Sequence, residues 1–277
     1  MPRVVACMPT WNGEAFVART LDSLAAQTYA NLGILISDDA STDRTRLICE
    51  AFARAHSNVR LIRQPRNLGW IDNVNVLLKE ADAEYVFYAF HDDPLEPTYV
   101  ERLVDALTRN PRAVLAFADV YLRERVEAYQ VLDGVTDRWE RARHIARRVG
   151  WWWIPNRGVF RRDAGLQAGG MQRHLAGEFS ADWPWLLRLA LQGEFVRVPE
   201  PLVHKVWLKG GLSLVWRHSL WQRLGVTLAC ARVVSRAGFS RPQTRALYRQ
   251  LLFGPLRRRW WTAHSDWKHR CVRGASL

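Results

Sequence analysis

The segment Tyr85-Val-Phe-Tyr-Ala-Phe-His-Asp-Asp-Pro94 joins an apolar run to two acids, and it is the stretch that decides the fold. Its apolar part, Tyr85–Phe90, is long enough for one buried strand, which Pro94 ends because proline cannot donate to a strand ladder. Asp92 and Asp93 are therefore predicted to lie where a strand leaves its sheet, the edge at which open α/β sheets bind ligands.

The two adjacent carboxylates predict a cation site at this edge. Like charges repel each other, and Mg²⁺ is usually held by one or two carboxylates together with phosphate oxygens. A nucleotide diphosphate is therefore the natural third partner. The alternative is a solvated turn, which the turn preference of aspartate favours for an isolated pair.

Apolar runs of strand length alternate with helical spacing through the first 120 residues. The runs that predict strands are Val4–Met8, Gly33–Ser37, Val59–Arg63, Tyr85–Phe90 and Ala113–Ala118. Segments such as Ile71, Val74, Leu77 and Leu78 lie between them with the period of a helix. This alternation favours parallel βαβ units, while the absence of GxGxxG and Walker motifs argues against dinucleotide-binding and ATPase functions.

Beyond Asp119 the alternation is interrupted. Residues 120–148 predict a loop and a helix, Trp151–Ile154 is a strand-like run, Ala181–Leu191 predicts a helix and Phe195–Val203 a strand. The chain after Leu212 has the pattern of two or three basic amphipathic helices.

Composition divides the chain into two parts with different charge. The 277 residues are 48% hydrophobic, which suits one large domain with an appendage. Residues 203–277 contain 15 Lys or Arg and a single acid, a net charge of +14, whereas residues 1–202 have a net charge of −1. No apolar run reaches the roughly 18 residues of a spanning helix. The start lacks the form of a signal peptide and the four cysteines form no CxxC pair, so we expect a cytoplasmic location.

Three further polar turns follow predicted strands. The first is Pro9-Thr-Trp-Asn-Gly-Glu14, in which the Trp11 ring offers a flat surface to a nucleobase, with core packing as the alternative. The second is Asp38-Asp-Ala-Ser-Thr-Asp43, in which Ser41, Thr42 or Asp43 is expected to cap the next helix. Capping leaves Asp39 free to accept a hydrogen bond from a base or a ribose hydroxyl. The third is the Asn-x-Gly turn at 67–69.

The order of these four turns resembles the family 2 glycosyltransferases with the GT-A fold. The resemblance covers about residues 1–120 and resumes over residues 158–213. It implies an α/β fold with a mostly parallel central sheet and a C-terminal helical appendage. It also implies a catalytic domain at 1–213, with a nucleotide-binding half at 1–120 and an acceptor-side half at 121–213. A basic, Trp-rich helical tail at 214–277 follows.

The resemblance implies a role for the individual residues of the turns. The nucleoside would be held by the first turn and the second acid of the Asp-Asp pair, with the ribose or diphosphate near the third turn: Pro9, Thr10, Trp11, Glu14, Asp39, Asn67 and Gly69. Asp92 would face the ribose and Asp93 would bind Mg²⁺ or Mn²⁺. Phe90 stands where many relatives have a further Asp.

The segment Ser180-Ala-Asp-Trp-Pro-Trp185 resembles the catalytic Glu-Asp segment of the same family, with Asp182 at the position of the catalytic base and Ala181 in place of Glu. Ser180 is expected to cap the helix, which places Asp182 in its first turn. The apolar residues three, four and seven positions later share the face of Asp182. The alternative is an ordinary first-turn acid.

Two later segments complete the resemblance. Residues 158–162 and 168–171 resemble the acceptor side of these enzymes, and Lys205-Val-Trp207 resembles a segment that often reads Arg-x-His. Lys205 would contact the diphosphate, whereas His204 has no assigned role.

The function that follows is inverting transfer of a sugar from a nucleotide diphosphate to a saccharide or lipid-linked acceptor, in polysaccharide or glycolipid synthesis. Residues 215–277, with Arg257–Trp261 and further tryptophans, predict contact with a membrane surface, and a solvated basic face is the alternative. A catalytically inactive nucleotide-sugar-binding protein remains a second interpretation. A nucleic-acid-binding protein is disfavoured by the acidic turns.

Overall fold

A computed structural model describes residues 1–122, 125–147, 154–206 and 219–256. The strands are β1 Val4–Thr10, β2 Leu32–Asp38, β3 Val59–Arg63, β4 Tyr85–Tyr88, β5 Ala113–Leu122, β6 Arg125–Glu127, β7 Val159–Arg161 and β8 Glu194–His204. The helices are α1 Val17–Ala25, α2 Thr45–Ala55, α3 Trp70–Glu80, α4 Tyr99–Arg109, α5 Arg138–Arg147, α6 Arg162–Gln167, α7 Asp182–Ala190, α8 Leu220–Ser235 and α9 Arg241–Leu256. Single turns of 3-10 helix occur at Gln130–Leu132 and Pro155–Arg157.

The described strands form one sheet in the order β3-β2-β1-β4-β7-β5. β8 pairs along β5, and β6 pairs with the last residues of β5. β1 lies parallel to both β2 and β4, so that Cys7 is opposite Leu35 on one side and Tyr88 on the other. β7 is antiparallel to β4 and to β5, and β8 is parallel to β5. The carboxyl ends of β1, β2 and β4 therefore meet at one edge.

The centre of the sheet is covered on both faces. Every residue of β1 and β4 is buried, and along β5 only Tyr121 is partly exposed. Continuous burial of this kind is typical of strands with helices above and below them. The mostly parallel sheet predicted from the sequence is confirmed.

The predicted strands of residues 1–120 are all present, with ends that move by a few residues. β4 ends at Tyr88, before Phe90, and β5 continues to Leu122. The loop predicted after Asp119 is wrong at its start, because β5 is extended there by pairing with both β6 and β8. Trp151, Trp152 and Trp153 of the predicted strand-like run lie outside the described residues.

The C-terminal helices pack on the body of the protein. α8 lies against α7, and α9 lies against α5 and α8. Gly225 permits the close approach of α8, because a Cβ at this position would lie 2.7 Å from the Cβ of Ala176. Among the described residues, no helix combines the length and the apolar character needed to cross a membrane.

Candidate active site

Asp39, which directly follows β2, holds the third polar turn in place. Its carboxylate accepts hydrogen bonds from the backbone N–H groups of Leu68 (2.7 Å) and Gly69 (3.0 Å). Its own N–H donates to the carbonyl oxygen of Thr10, at the end of β1. Burial raises the pKa of Asp39, and the two N–H donors act in the opposite direction.

The first and second turns are joined by hydrogen bonds between backbone and side chains. The N–H groups of Asn12, Gly13 and Glu14 donate to Ser41, Thr45 and Asp43, respectively, over 2.7–3.1 Å. In the other direction, the N–H groups of Thr42 and Arg44 donate to the side chains of Asn12 and Glu14. These two turns therefore form one unit.

The capping of α2 predicted for Ser41, Thr42 or Asp43 is wrong, because the N-cap residue is Arg44 and no side chain caps it. Asp43 accepts a hydrogen bond from the N–H of Thr45 (2.9 Å), whereas Ser41 and Thr42 bond to the first turn. Burial raises the pKa of Asp43, but hydrogen bonds from Thr45 and Glu14 outweigh it and the pKa is lowered.

Positive φ angles, which strain the backbone, occur in the first two turns and just before α7. Of the non-glycine residues that the structure describes, Asn12, Ala40 and Ser180 have positive φ, at 45°, 56° and 48°. A residue in this region costs roughly 1–3 kcal/mol and is often found where a loop serves a function. Gly69 also has a positive φ, of 85°, which glycine adopts without that cost.

The predicted nucleoside-binding residues of the first turn differ in exposure. Pro9 and Thr10 are buried at the end of β1, whereas Glu14 is exposed. Trp11 is 52% exposed, so the core-packing alternative does not hold for this ring. An exposed indole beside a sheet edge is available for stacking on a base.

Asp93, the predicted metal ligand, lies between two cations. Its Oδ2 accepts a hydrogen bond from Nε of Arg157 (2.6 Å), and its Oδ1 accepts one from Nζ of Lys205 (2.9 Å). All three side chains are at least nine-tenths buried. The guanidinium of Arg157 also lies over the ring of Phe90, 5.2 Å from its centroid.

Lys205 contacts both acids of the fourth turn. Its Nζ lies 3.3 Å from Oδ2 of Asp92, in addition to its contact with Asp93. Burial raises the pKa of Asp92, but the positive charges of Lys205, His91 and Arg157 outweigh it, and the pKa is lowered. In the structure Lys205 is thus the counter-charge of the acids predicted to bind the metal and the ribose.

The acids of the fourth turn suit a divalent cation. No group of three His, Cys, Asp or Glu side chains gathers into a metal site within the described parts of the chain. Mg²⁺ and Mn²⁺, however, need only one or two carboxylates when phosphate oxygens complete the shell. Oδ1 of Asp93 is paired with the ammonium of Lys205, so a divalent cation at this oxygen would take the place of that ammonium.

Asp182 begins α7, as the sequence predicts, but the helix is not capped as expected. The N-cap residue is Ala181, no side chain caps it, and Ser180 has positive φ. The capping role predicted for Ser180 is therefore wrong, because its backbone turns away from the extended conformation of an N-cap. Oδ2 of Asp182 accepts a hydrogen bond from Nδ2 of Asn156 (3.2 Å).

Asn156 and Arg157 are functional candidates that the sequence analysis did not identify. They are adjacent on the 3-10 turn Pro155–Arg157, and they bond to Asp182 and Asp93, respectively. One short turn thus connects the predicted base with the predicted metal ligand. The Pro-Asn-Arg segment has the composition of an ordinary turn, so no local signal in the sequence separates it from others.

The remaining predicted residues have other partners. Asn67 accepts a hydrogen bond from the N–H of Gly69 (2.9 Å). His204 does not contact the acids of the candidate site. Its Nε2 is 2.6 Å from Glu96 and its ring stacks on Tyr121. Trp207 and the segment 212–213 lie outside the described residues.

The sequence is similar to bacterial glycosyltransferases. An Escherichia coli glycosyltransferase, YibD, is 28% identical over 213 residues, which are 73% of this chain and 60% of YibD. A Haemophilus influenzae glycosyltransferase is 29% identical over 39% of this chain and 34% of its own length, and Streptococcus pneumoniae GlyA is 33% identical over 36% and 14%. The matches thus cover less than two thirds of these relatives.

The fold is similar to that of solved transferases. S. aureus TarS (residues 1–349) in complex with UDP-GlcNAc superposes with a TM-score of 0.73 at 17% identity, over 90% of this chain and 71% of TarS. The mannosyltransferase PcManGT of Pyrobaculum calidifontis, in complex with GDP-Man and Mn²⁺, gives 0.69 at 18% identity, over 100% of this chain and 76% of PcManGT. The model of the glycosyl transferase family 2 matches residues 5–166, more than half of the chain. The chain therefore belongs to glycosyl transferase family 2 and has the GT-A fold.

Proposed function

We propose that this protein transfers a sugar from a nucleotide diphosphate donor to an acceptor hydroxyl with inversion at the anomeric carbon. The observation that carries the proposal is the continuous set of contacts from Asp93 through Arg157 and Asn156 to Asp182. These groups adjoin the sheet edge at which Asp39 organises the turns of the first half. Glycosyltransferase relatives and neighbours with bound nucleotide sugars support the reaction class.

The donor nucleotide binds at the turns after β1, β2 and β3 in this proposal. Trp11 stacks on the base, and Asp39, which accepts the N–H groups of Leu68 and Gly69, holds the third turn beside the ribose or diphosphate. Pro9, Thr10, Glu14, Asn67, Gly69 and Asp92 complete the nucleotide site. The mutual hydrogen bonds of the first two turns support this role, because a site that is already formed loses little entropy on binding.

Asp182 acts as the general base. It removes the proton of the acceptor hydroxyl while the oxygen attacks the anomeric carbon from the face opposite the diphosphate, and a single displacement of this kind inverts the configuration. The hydrogen bond from Asn156 supports the role, because an amide N–H donor stabilises the ionised carboxylate that a base requires.

Asp93 would hold the Mg²⁺ or Mn²⁺ of this proposal, and Asp92 beside it would face the ribose. The bound cation would neutralise negative charge on the departing diphosphate. Lys205 would then pair with the diphosphate in place of the acids. Arg157 would stay on Oδ2 of Asp93 and leave Oδ1 as the oxygen at which a cation is exchanged.

The acceptor, the location and the division of the chain belong to the same proposal. Residues 1–120 form the nucleotide half, 121–213 the acceptor half and 214–277 a basic tail that contacts the inner face of a membrane peripherally. A saccharide or lipid-linked acceptor for polysaccharide or glycolipid synthesis suits such a location. The net charge of +14 in residues 203–277 supports attraction to anionic lipids.

The replacement of Asp182 by Asn tests the transfer reaction. After donors are identified from a panel of nucleotide sugars by thermal stabilisation, we expect Asp182→Asn to lower kcat by about 10² to 10⁴, with donor affinity unchanged. Asp163→Asn is the matched control, because Asp163 is also a first-turn acid, on α6. Normal turnover by Asp182→Asn would refute the assignment. A wild type that binds donors without transfer or hydrolysis would favour the inactive, nucleotide-sugar-binding alternative, which Ala181 and Phe90 suggest.

A further inference from the structure

A cavity of about 570 Å³ lies between α7 and α8, and none of its lining residues belongs to the site described above. The start of α5, the loop after α6, α7 and α8 form its wall. In the part of the chain that the structure describes, none of its lining residues is acidic. The volume is in the range of pockets that hold small organic ligands.

Five arginines line this cavity, and one of them, Arg173, is paired with Asp72 and Glu178. We call the other four the arginine pocket: Arg138, Arg188, Arg232 and Arg236. None of them forms an ion pair with a described residue. The guanidinium groups of Arg138 and Arg188 each donate two hydrogen bonds to backbone carbonyl oxygens, over 2.6–2.9 Å. Burial lowers the pKa of Arg188 to about 10, so it stays charged at neutral pH. Carbonyl dipoles orient these charges but do not neutralise them, and the cavity therefore favours an anion.

An apolar stripe on α8 adjoins the arginine pocket. Leu220, Trp221, Leu224 and Leu228 are exposed by 78%, 58%, 44% and 41%, and Leu228 also lines the cavity. Their spacing places them on one side of the helix. The residues that pack α8 on the protein lie on a different side and are buried: Val226, Cys230 and Val234. The stripe is therefore not needed to hold α8 in place.

We propose that the arginine pocket and the α8 stripe bind an anionic phospholipid bilayer. A phosphate headgroup would enter the pocket, and the stripe would lie in the boundary between headgroups and acyl chains, as amphipathic surface helices do. Charge complementarity supports this occupant, since residues 203–277 carry +14 and the cavity has no acid. The inference rests on the peripheral membrane contact proposed above, and it names the surface that makes the contact.

The surface is close to the proposed base. Asp182 begins α7 and Arg188 lies six residues further along the same helix, a rise of about 9 Å. A bilayer bound at the arginine pocket would therefore bring an acceptor at the lipid surface near Asp182.

Vesicle flotation of the full chain tests the pocket. We expect the wild type to bind vesicles of phosphatidylcholine with phosphatidylglycerol and not those of phosphatidylcholine alone. Each Arg near an anionic surface contributes about fivefold in affinity, so Arg232→Gln with Arg236→Gln should weaken binding about 25-fold. The control is Arg245→Gln with Arg249→Gln, which removes the same charge from exposed positions of α9, with little expected effect.

The stripe is tested in the same assay. Leu224→Ser with Leu228→Ser should weaken binding about tenfold, whereas Leu252→Ser with Phe253→Ser, also exposed but on α9, should have little effect. If the wild type binds anionic vesicles but the pocket and stripe variants bind equally well, this surface is wrong while the membrane contact stands. No binding by the wild type would overturn both. Equal thermal stabilisation by inorganic phosphate and by dihexanoyl-phosphatidylglycerol would assign the pocket to a free anion and overturn the lipid proposal.

Discussion

The two halves of the candidate site are held together by different kinds of hydrogen-bond donor. On the nucleotide side, Asp39, Asp43 and Ser41 accept hydrogen bonds from backbone N–H groups of neighbouring turns. On the reacting side, Asp93 and Asp182 are held by the side chains of residues such as Arg157 and Asn156.

This difference indicates which half is fixed and which can rearrange. A backbone donor moves only if its loop moves, and strain at Asn12 and Ala40 persists because the surrounding hydrogen bonds determine those conformations. A lysine side chain, in contrast, exchanges one anionic partner for another by rotation about its own bonds. We therefore expect the nucleotide side to be formed before ligand binds, and the contacts of Lys205 to change when a diphosphate enters.

Replacement of Arg157 should have the largest effect on stability. Arg157→Met removes one of the two cations from the buried carboxylate of Asp93, and breaking a buried pair costs about 3 kcal/mol or more. The free energy of unfolding in urea measures the loss. Arg60→Met breaks the exposed pair with Glu80 and should cost less than about 1 kcal/mol. Equal losses for the two variants would show that the reacting side is not held by this pair.

Replacement of Asp39 tests the fixed half. Asp39→Asn places an amide N–H against one of the two backbone donors, so we expect a loss of about 2 kcal/mol in unfolding free energy. Thermal stabilisation by UDP or GDP should also disappear. Asp137→Asn is the control, because Asp137 also accepts a backbone N–H, from Glu140, but lies outside the nucleotide side, and it should keep the nucleotide response. A nucleotide response retained in Asp39→Asn would contradict the assignment.

Replacement of Asn156 tests the positioning of the proposed base. Asn156→Leu removes a donor to Asp182, so the acid limb of the kcat/KM profile should move to higher pH by about one unit, because ionised carboxylate forms less readily. Donor KM should change little. If kcat/KM falls by the same factor at every pH and the acid limb keeps its position, Asn156 has a structural role only.

Replacement of Lys205 has the smallest expected effect on ligand binding and tests whether its contacts are exchangeable. Lys205→Met removes the charge that opposes a cation at Asp93, so the affinity for Mn²⁺ without nucleotide should rise about fivefold. Electron paramagnetic resonance of free Mn²⁺ measures this directly. Lys79→Met, on the exposed end of α3, is the control. Unchanged Mn²⁺ affinity in Lys205→Met would mean that Lys205 does not compete with the metal.

The sheet and the turns of the first half were predictable from local patterns. Apolar runs such as Val4–Met8 become strands because burial of a strand depends on consecutive residues, and every residue of β1 is buried. The extension of β5 to Leu122 and the strand β6 were not predictable in this way, because they depend on pairing between separate segments. Capping by Ser180 failed because its positive φ, which no local pattern predicted, is not the extended conformation of an N-cap.

The sequence by itself determined that acids follow successive strands, and parallel pairing then required their turns to meet at one edge. Only the tertiary structure decided which cations those acids meet. Arg157 and Lys205 reach Asp93 from 64 and 112 residues away. Contacts over such separations have no period or local composition in the chain, because they arise only when separately formed elements pack.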